Sequence, residues 1–88
     1  MTFTEKVLKI VANIPKGSTM TYKQVAIMAG KPGAARAVGN VLKSNTDYEK
    51  IPCHRVIKSN GEIGNYNRGA KMKRKLLIKE GVCLVDLK

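Results

Sequence analysis

The residues best suited to chemistry in this 88-residue chain lie together in the run Ile51–Ile57. Within it, Cys53 stands between Pro52 and the pair His54 and Arg55, so a potential base and a permanent cation follow the thiol directly. A thiol ionises more easily in electropositive surroundings, and the thiolate is the nucleophile. The proline restricts the backbone just before the sulfur and contributes no amide donor. The run predicts a reactive cysteine; the alternative is a core cysteine beside a surface histidine and arginine.

The second cysteine, Cys83, lies in the apolar run 82–85, and we expect it to pack in the core. The two thiols could in principle pair, but intracellular proteins normally keep their thiols reduced. One histidine and two cysteines do not make a zinc site, so no metal is expected. No stretch approaches the roughly 20 apolar residues of a membrane span, and the N-terminus lacks a signal-peptide pattern. We therefore expect a cytoplasmic protein without membrane attachment.

Charge is the second constraint on function. Seventeen Lys and Arg residues against six Asp and Glu give a net charge of +11. The densest run, Arg68–Lys79, contains six of these cations and no acid. Such a balance favours a polyanion partner, with nucleic acid ahead of membrane. A merely soluble basic protein is the alternative. A ribosomal or nucleoid protein would show the same charge, so charge alone does not choose among nucleic-acid binders.

Three helices are predicted in the first half of the chain. Capping-box spacing marks the start of two of them, at Thr2 with Glu5 and at Thr21 with Gln24. The expected extents are residues 3–14, a short helix from the cap at Thr21 to a stop at Gly30, and residues 34–43. Two short helices joined by a tight glycine-containing turn form a helix-turn-helix, whose second helix reads DNA.

The second half of the chain carries the signals of a β-hairpin and a last helix. Asn60-Gly61 is a strong hairpin signal between the runs 55–57 and 62–64, so a small two-stranded wing is expected there. A last helix is predicted from about Ala70 to Lys79, and a short extended tail follows it. Together these elements predict a mainly α, winged-helix-like DNA-binding domain with a helix-turn-helix and a small β-hairpin.

Read in order, several of these segments resemble the C-terminal, active-site domain of the alkylguanine-DNA alkyltransferases, the methylated-DNA–protein-cysteine methyltransferases. The segments are Thr21–Gln24, Ala34–Gly39, Asn45, Ile51–Val56, Gly64–Tyr66 and Lys79–Gly81. They occur close to the family's spacings and cover nearly the whole chain, and Pro-Cys-His-Arg-Val with Ala-Ala-Arg-Ala-Val-Gly is highly specific. The resemblance implies one domain over residues 1–88, without the extra N-terminal domain that family members generally carry, acting as a monomer without a cofactor.

The reaction that the resemblance implies moves a methyl or other alkyl group from oxygen-6 of guanine, or oxygen-4 of thymine, to Cys53. The thioether product has no good leaving group, so each molecule acts once. Glu80 would orient His54, which would draw the proton from the thiol through a water, the usual arrangement of nucleophile, base and orienting group. Tyr22 would protonate the departing guanine. Asn45 would hydrogen-bond the hinge of the helix-turn-helix and brace the turn that carries the cysteine.

The partner implied is double-stranded DNA containing alkylated guanine, on the nucleoid of a prokaryote or in a eukaryotic nucleus. Arg36 would fill the gap left by the everted nucleotide, while Ala35 permits close approach in the minor groove. Further DNA contacts are expected from Thr21, Tyr22, Gln24 and Lys43. The pocket for the base and alkyl group is expected to be lined by Leu42, Pro52, Val56, Tyr66 and Asn67, the last at a position where the family usually has serine.

Two other functions remain open at the level of sequence. The sister group of alkyltransferase-like proteins replaces the cysteine and flags lesions without transfer, so a sensor that recruits other repair factors is the second hypothesis. A basic architectural or regulatory helix-turn-helix protein is the third. Each assigned residue also has a plainer role, such as an exposed acid for Glu80 or a phosphate-binding cation for Arg36. Transfer requires an accessible sulfur at Cys53 that faces a pocket large enough for a purine.

Overall fold

The first helix, α1, covers Phe3–Ala12 and begins at the predicted capping box. The structure, a computed structural model, describes residues 2–47, 50–59 and 69–82. The hydroxyl of Thr2 accepts from the Glu5 amide at 3.2 Å, and the Glu5 carboxylate accepts from the Thr2 amide at 3.3 Å. The helix ends at Ala12 rather than at residue 14, because the side-chain amide of Asn13 donates to the Lys9 carbonyl at 2.8 Å and closes the last turn.

The predicted helix-turn-helix is formed by α2, Tyr22–Met28, and α3, Ala35–Lys43. The Thr21–Gln24 capping box opens α2: the hydroxyl accepts from the Gln24 amide at 3.0 Å, and the Gln24 side chain accepts from the Thr21 amide at 2.9 Å. Gly30 has a φ of +86°, a left-handed conformation that glycine adopts without a steric penalty, and it turns the chain toward α3. The prediction of two short helices with a glycine turn is confirmed.

The core lies between the first three helices and the segment that carries the cysteine. Its buried members are Val7, Val11, Ile14, Val25, Ala26, Ala29, Val38, Leu42, Cys53 and Val56. In α1 and α3 the buried positions recur at helical spacing, which is why an amphipathic pattern predicted these helices. Among the residues described, no helix has the length and apolar character to cross a lipid bilayer.

A two-stranded parallel sheet ties the two halves of the domain together. Strand β1, Met20–Thr21, pairs with strand β2, Val56–Ile57, with Met20 opposite Val56 and Thr21 opposite Ile57. The sequence predicts β2 as part of a hairpin, but its pairing with β1 is not predicted, because two residues are too few for a recognisable strand pattern. The other predicted strand, 62–64, and the tail beyond Val82 lie outside the described residues.

The last helix, α4, covers Ala70–Lys79 as predicted, and Gly81 follows it with a φ of +87°. Leu77 is buried against Ile57 of β2. One face of α4 differs from expectation: Lys73, counted from the sequence among the cations offered to a polyanion, is 0% exposed. Within the described ranges the chain forms four α-helices and one short sheet, which confirms a mainly α fold.

Candidate active site

The cysteine lies in a short 3-10 turn, Cys53–Arg55, which we call the cysteine turn. The Ile51 carbonyl just before it accepts two hydrogen bonds, from the Cys53 amide at 2.8 Å and from the Asn45 side-chain amide at 2.9 Å. The other end of that side chain accepts from the Asp47 amide at 3.0 Å. Asn45 follows the end of α3 and is buried, so it joins the helix-turn-helix to the loop that positions the sulfur.

Cys53 is buried, with 4% of its surface exposed, which differs from the accessible sulfur that the sequence interpretation requires. The cause is its position in the core cluster of the first three helices. The members of the predicted pocket that the structure describes are also buried; they are Leu42, Pro52 and Val56. The remaining two, Tyr66 and Asn67, lie outside the described residues, as does Cys83. Because apolar burial alone disfavours a thiolate, the charged groups near the turn decide what this sulfur can do.

The side chains of His54 and Glu80, which the resemblance places in one relay, lie in contact. The imidazole Nε2 lies 3.0 Å from Oε1 of the carboxylate, and both side chains are largely buried. Burial lowers the pKa of His54 below its ordinary value, and the Glu80 contact only partly opposes that shift. The pair is therefore a neutral imidazole in contact with a carboxylate at neutral pH, a state in which the histidine can still accept a proton.

Arg55 holds the carboxylate of Glu80 in place, a role that the sequence does not indicate. Its guanidinium donates through Nε at 2.8 Å and through Nη2 at 2.6 Å, and Nη1 donates to the Ile14 carbonyl at 2.7 Å. The hydrogen bonds from Arg55 are the main reason that the pKa of Glu80 is lowered. One side chain thus connects the end of α1, the cysteine turn and the end of α4.

The turn after α1 also packs against the end of α4. Gly17 has a φ of +88°, and a Cβ atom placed on it would lie 3.1 Å from the Glu80 carbonyl oxygen. A side chain at this position would combine backbone strain with a close contact to rigid backbone. The backbone of Glu80 is therefore confined by Gly17 while its carboxylate is held by Arg55.

Tyr22 is the first residue of α2 and lies half-buried beside the sheet. Burial raises the pKa of its phenol, and the negative charge of an ionised Cys53 raises it further. A phenol that keeps its proton is suited to donate one. The pairing of Thr21 with Ile57 brings the start of α2 next to the strand that follows the cysteine turn.

Lys73 is the second residue that the sequence interpretation does not assign to the site. Its ammonium donates to the Val56 carbonyl at 2.6 Å and lies 5.7 Å from the centre of the Tyr22 ring. Burial lowers its pKa to about 8, opposed by the negative charge of Cys53. The one available signal was helical spacing: Lys73 precedes the buried Leu77 by four residues and so shares its face of α4.

The predicted DNA-binding residues lie along the helix-turn-helix, and one of them, Tyr22, also belongs to this cluster. Arg36, Asn40 and Lys43 are exposed at helical spacing on α3, opposite its buried face, and Ala35 is half-buried at its start. Thr21 and Gln24 are engaged with each other in the capping box at the start of α2. Cations on one exposed helix face are suited to bind phosphates.

No group of three potential metal ligands occurs among the described residues. A groove of about 410 Å³ lies between α1 and the segment that leads into α2, and none of the predicted site residues lines it. The chemistry-bearing side chains are therefore concentrated around the cysteine turn.

Comparison with known proteins gives one consistent family. The model of the DNA-binding domain of 6-O-methylguanine DNA methyltransferase matches residues 2–82. Proteins named methylated-DNA–protein-cysteine methyltransferase from Methanothermobacter thermautotrophicus and Rattus norvegicus are 46% and 48% identical over 82 residues, or 93% and 91% of this chain. The chain spans 46% and 39% of the lengths of these curated relatives.

Two solved structures have the same fold. Mycobacterium tuberculosis OGT in complex with DNA is 41% identical, with a TM-score of 0.86 over 91% of this chain and 49% of that one. S. pombe Atl1 in complex with damaged DNA containing O6-carboxymethylguanine is 36% identical, with a TM-score of 0.82 over 92% of this chain and 77% of that one.

Proposed function

Because this chain belongs to the family of the 6-O-methylguanine DNA methyltransferase DNA-binding domain, we propose that it repairs DNA by taking an alkyl group from oxygen-6 of guanine onto Cys53. The observation that carries the proposal is the contact of His54, which directly follows Cys53 in the chain, with the Glu80 carboxylate 3.0 Å from the imidazole. Covalent catalysis commonly uses a nucleophile, a base that activates it and a group that orients the base.

The proposed proton path rests on an assigned tautomer of the imidazole. Because Nε2 lies 3.0 Å from the Glu80 carboxylate, we assign the hydrogen to Nε2; the lone pair is then on Nδ1, and this nitrogen would take the thiol proton through a water. The imidazolium formed would be stabilised by the carboxylate that Arg55 keeps ionised. The lowered pKa of His54 keeps the base neutral at neutral pH, so it is available before the reaction.

In the transfer itself, the thiolate of Cys53 attacks the alkyl carbon, the carbon–sulfur bond forms and the bond from carbon to oxygen-6 breaks. The electron pair of that bond stays with the guanine, which takes up a proton as it leaves, and Tyr22 is the donor we propose. Its raised pKa means that the phenol carries the proton at neutral pH. The product is a thioether, so the protein is consumed.

Binding to the DNA is assigned to the exposed face of α3. Arg36 and Lys43 supply positive charge on one helix face, in a chain with a net charge of +11. Neutralising phosphates releases counterions, so affinity should fall steeply with salt. The buried Cys53 means that the target base has to be everted and the pocket has to admit it, at a cost of about a few kcal/mol in unstacking.

The test is intact-protein mass spectrometry after incubation with a duplex that carries one O6-methylguanine, beside the same duplex with unmodified guanine. We expect a gain of one methylene unit with the lesion only, and peptide mapping should place it on Cys53. Cys53→Ser should gain nothing, and Glu80→Gln should slow the single turnover. Methyl on Cys83 would refute the site, and no gain at all would refute the transfer.

The burial of Cys53 favours a second candidate function, a sensor that binds alkylated DNA without transfer. The likeness to Atl1, solved with damaged DNA, supports the same possibility. A sensor would bind the lesion duplex more tightly than the matched duplex while the mass of its cysteine stays unchanged. Equal affinity for both duplexes would instead indicate an architectural helix-turn-helix protein.

A further inference from the structure

A fully buried lysine is the feature of this site that the proposed function leaves unused. Lys73 is 0% exposed, although it lies on a helix whose neighbouring cations Lys71, Arg74 and Lys75 are all exposed. Burying an ammonium costs free energy unless the charge is used or neutralised. The four-carbon stem could have carried the charge to the surface, as other lysines of α4 do, and it does not.

The surroundings of the ammonium are specific. It donates to the Val56 carbonyl at 2.6 Å, one residue beyond the cysteine turn, and it lies over the Tyr22 ring at 5.7 Å from the centroid. Among the described residues, Cys53 and Lys58 shift the pKa of Lys73: the negative charge of Cys53 stabilises the ammonium, and the positive charge of Lys58 opposes it. Lys73 in turn disfavours protonation of His54.

We propose that Lys73 is a positioning residue for Cys53, holding the end of the cysteine turn through the Val56 carbonyl and placing a positive charge near the sulfur. Electrostatic interaction between two ionisable groups is reciprocal: if an ionised sulfur stabilises the ammonium, the ammonium stabilises the ionised sulfur. This answers the difficulty that the burial of Cys53 raises, because a thiolate in an apolar core needs a compensating cation. His54 accepts the proton of the Cys53 thiol. Lys73 favours the loss of that proton by stabilising the thiolate, and it does not itself gain or lose a proton in the step.

The inference rests on the proposed function in taking Cys53 as the attacking nucleophile, and its test does not use DNA. Iodoacetamide alkylates thiolates, so the rate of its reaction with Cys53 against pH reports the ionisation of the sulfur. The Lys73→Met variant keeps an unbranched apolar stem and removes the charge. The matched control is Lys75→Met, which removes an exposed lysine of the same helix.

In Lys73→Met, we expect the pH midpoint of the reaction to rise by about one unit, so that the rate at pH 6.5 falls about tenfold while the limiting rate at high pH is kept. Lys75→Met should reproduce the wild-type curve. A merely structural role would lower stability and leave the midpoint in place. A folded Lys73→Met protein with an unchanged midpoint would therefore overturn the proposal.

If Lys73→Met does not fold, the reciprocal measurement decides. Cys53→Ser removes the negative charge and keeps Lys73, whose titration can be followed by NMR at the side-chain nitrogen and its carbon neighbour. The proposal requires the pKa of Lys73 to drop below its value of about 8, and an unchanged titration contradicts it. A wild-type protein that reacts with iodoacetamide but takes no methyl from DNA would refute the proposed function and leave this inference standing.

Discussion

The contact between Arg55 and Glu80 allows a quantitative test by a double-mutant cycle. Arg55→Met removes the two bonds to the carboxylate, at 2.8 and 2.6 Å, and the bond to the Ile14 carbonyl at 2.7 Å. Glu80→Gln removes only the charge of the carboxylate. The Ile14 bond is lost with Arg55 in both backgrounds, so it cancels from the coupling energy and the cycle isolates the Arg55–Glu80 pair.

The expected magnitudes follow from the exposure of the pair. A hydrogen bond to a charged group contributes about 1.5–3 kcal/mol, and breaking a buried pair costs about 3–5 kcal/mol. Arg55 and Glu80 are 15% and 11% exposed, so solvent screens them only slightly. We expect Arg55→Met to lower the free energy of unfolding by about 4 kcal/mol, with a coupling energy of about 2 kcal/mol.

Urea unfolding at neutral pH measures the four free energies. Arg36→Met is the matched control, because this arginine is exposed on α3, and the change should stay within about 0.5 kcal/mol. Should Arg55→Met be unfolded in buffer, Arg55→Lys in the same cycle keeps a charge and loses the two-pronged geometry. A coupling energy under about 0.5 kcal/mol would mean that the carboxylate is not held by Arg55, and the account of the relay would fail.

Three further predictions use other parts of the domain. The pKa of His54 in the folded protein lies below its ordinary 6.5, so the unfolded chain binds a proton at this residue before the folded protein does. The free energy of unfolding should therefore fall as pH drops from 7 to 5, and His54→Gln should reduce that slope in urea titrations. An unaltered slope would contradict the burial of a neutral imidazole. Gly17→Ala should destabilise the protein more than Gly30→Ala, by about 1 kcal/mol in thermal unfolding. Both glycines have a positive φ, but only at Gly17 would the added Cβ atom lie close to the Glu80 carbonyl oxygen. Equal losses of stability would refute that contact. Asn45→Ala should cost about 1–3 kcal/mol in urea unfolding by leaving the Ile51 carbonyl with one donor fewer, and a loss within about 0.5 kcal/mol would show that the brace is dispensable.

Features governed by neighbouring residues could be predicted from the sequence. Both capping boxes form as expected, since each joins residues only three positions apart. The last helix has its predicted bounds, because an apolar pattern and a following glycine are local signals. The contact between His54 and Glu80 joins distant residues, and it could be expected only from the family resemblance.

Features that depend on tertiary contacts could not be predicted in this way. Arg55 donates hydrogen bonds to Glu80, 25 residues away in the sequence, and to Ile14, 41 residues away. Lys73 donates to Val56, which is 17 residues away. Composition counted Lys73 among the cations available to a polyanion, and the one local signal for its burial was its spacing of four residues from the apolar Leu77. The accessible cysteine was expected for the same reason: reactivity was read from its neighbours along the chain, while burial is set by the helices that pack on it.

The two-residue parallel sheet has a consequence for the relative position of α2 and the cysteine turn. Thr21 is the last residue of one strand and the cap of the helix that Tyr22 begins, while Val56 opens the other strand immediately after the cysteine turn. Main-chain hydrogen bonds therefore link the start of α2, where Tyr22 lies, to the segment that carries the sulfur. Side-chain substitutions that preserve this pairing should leave the relative position of the two segments unchanged.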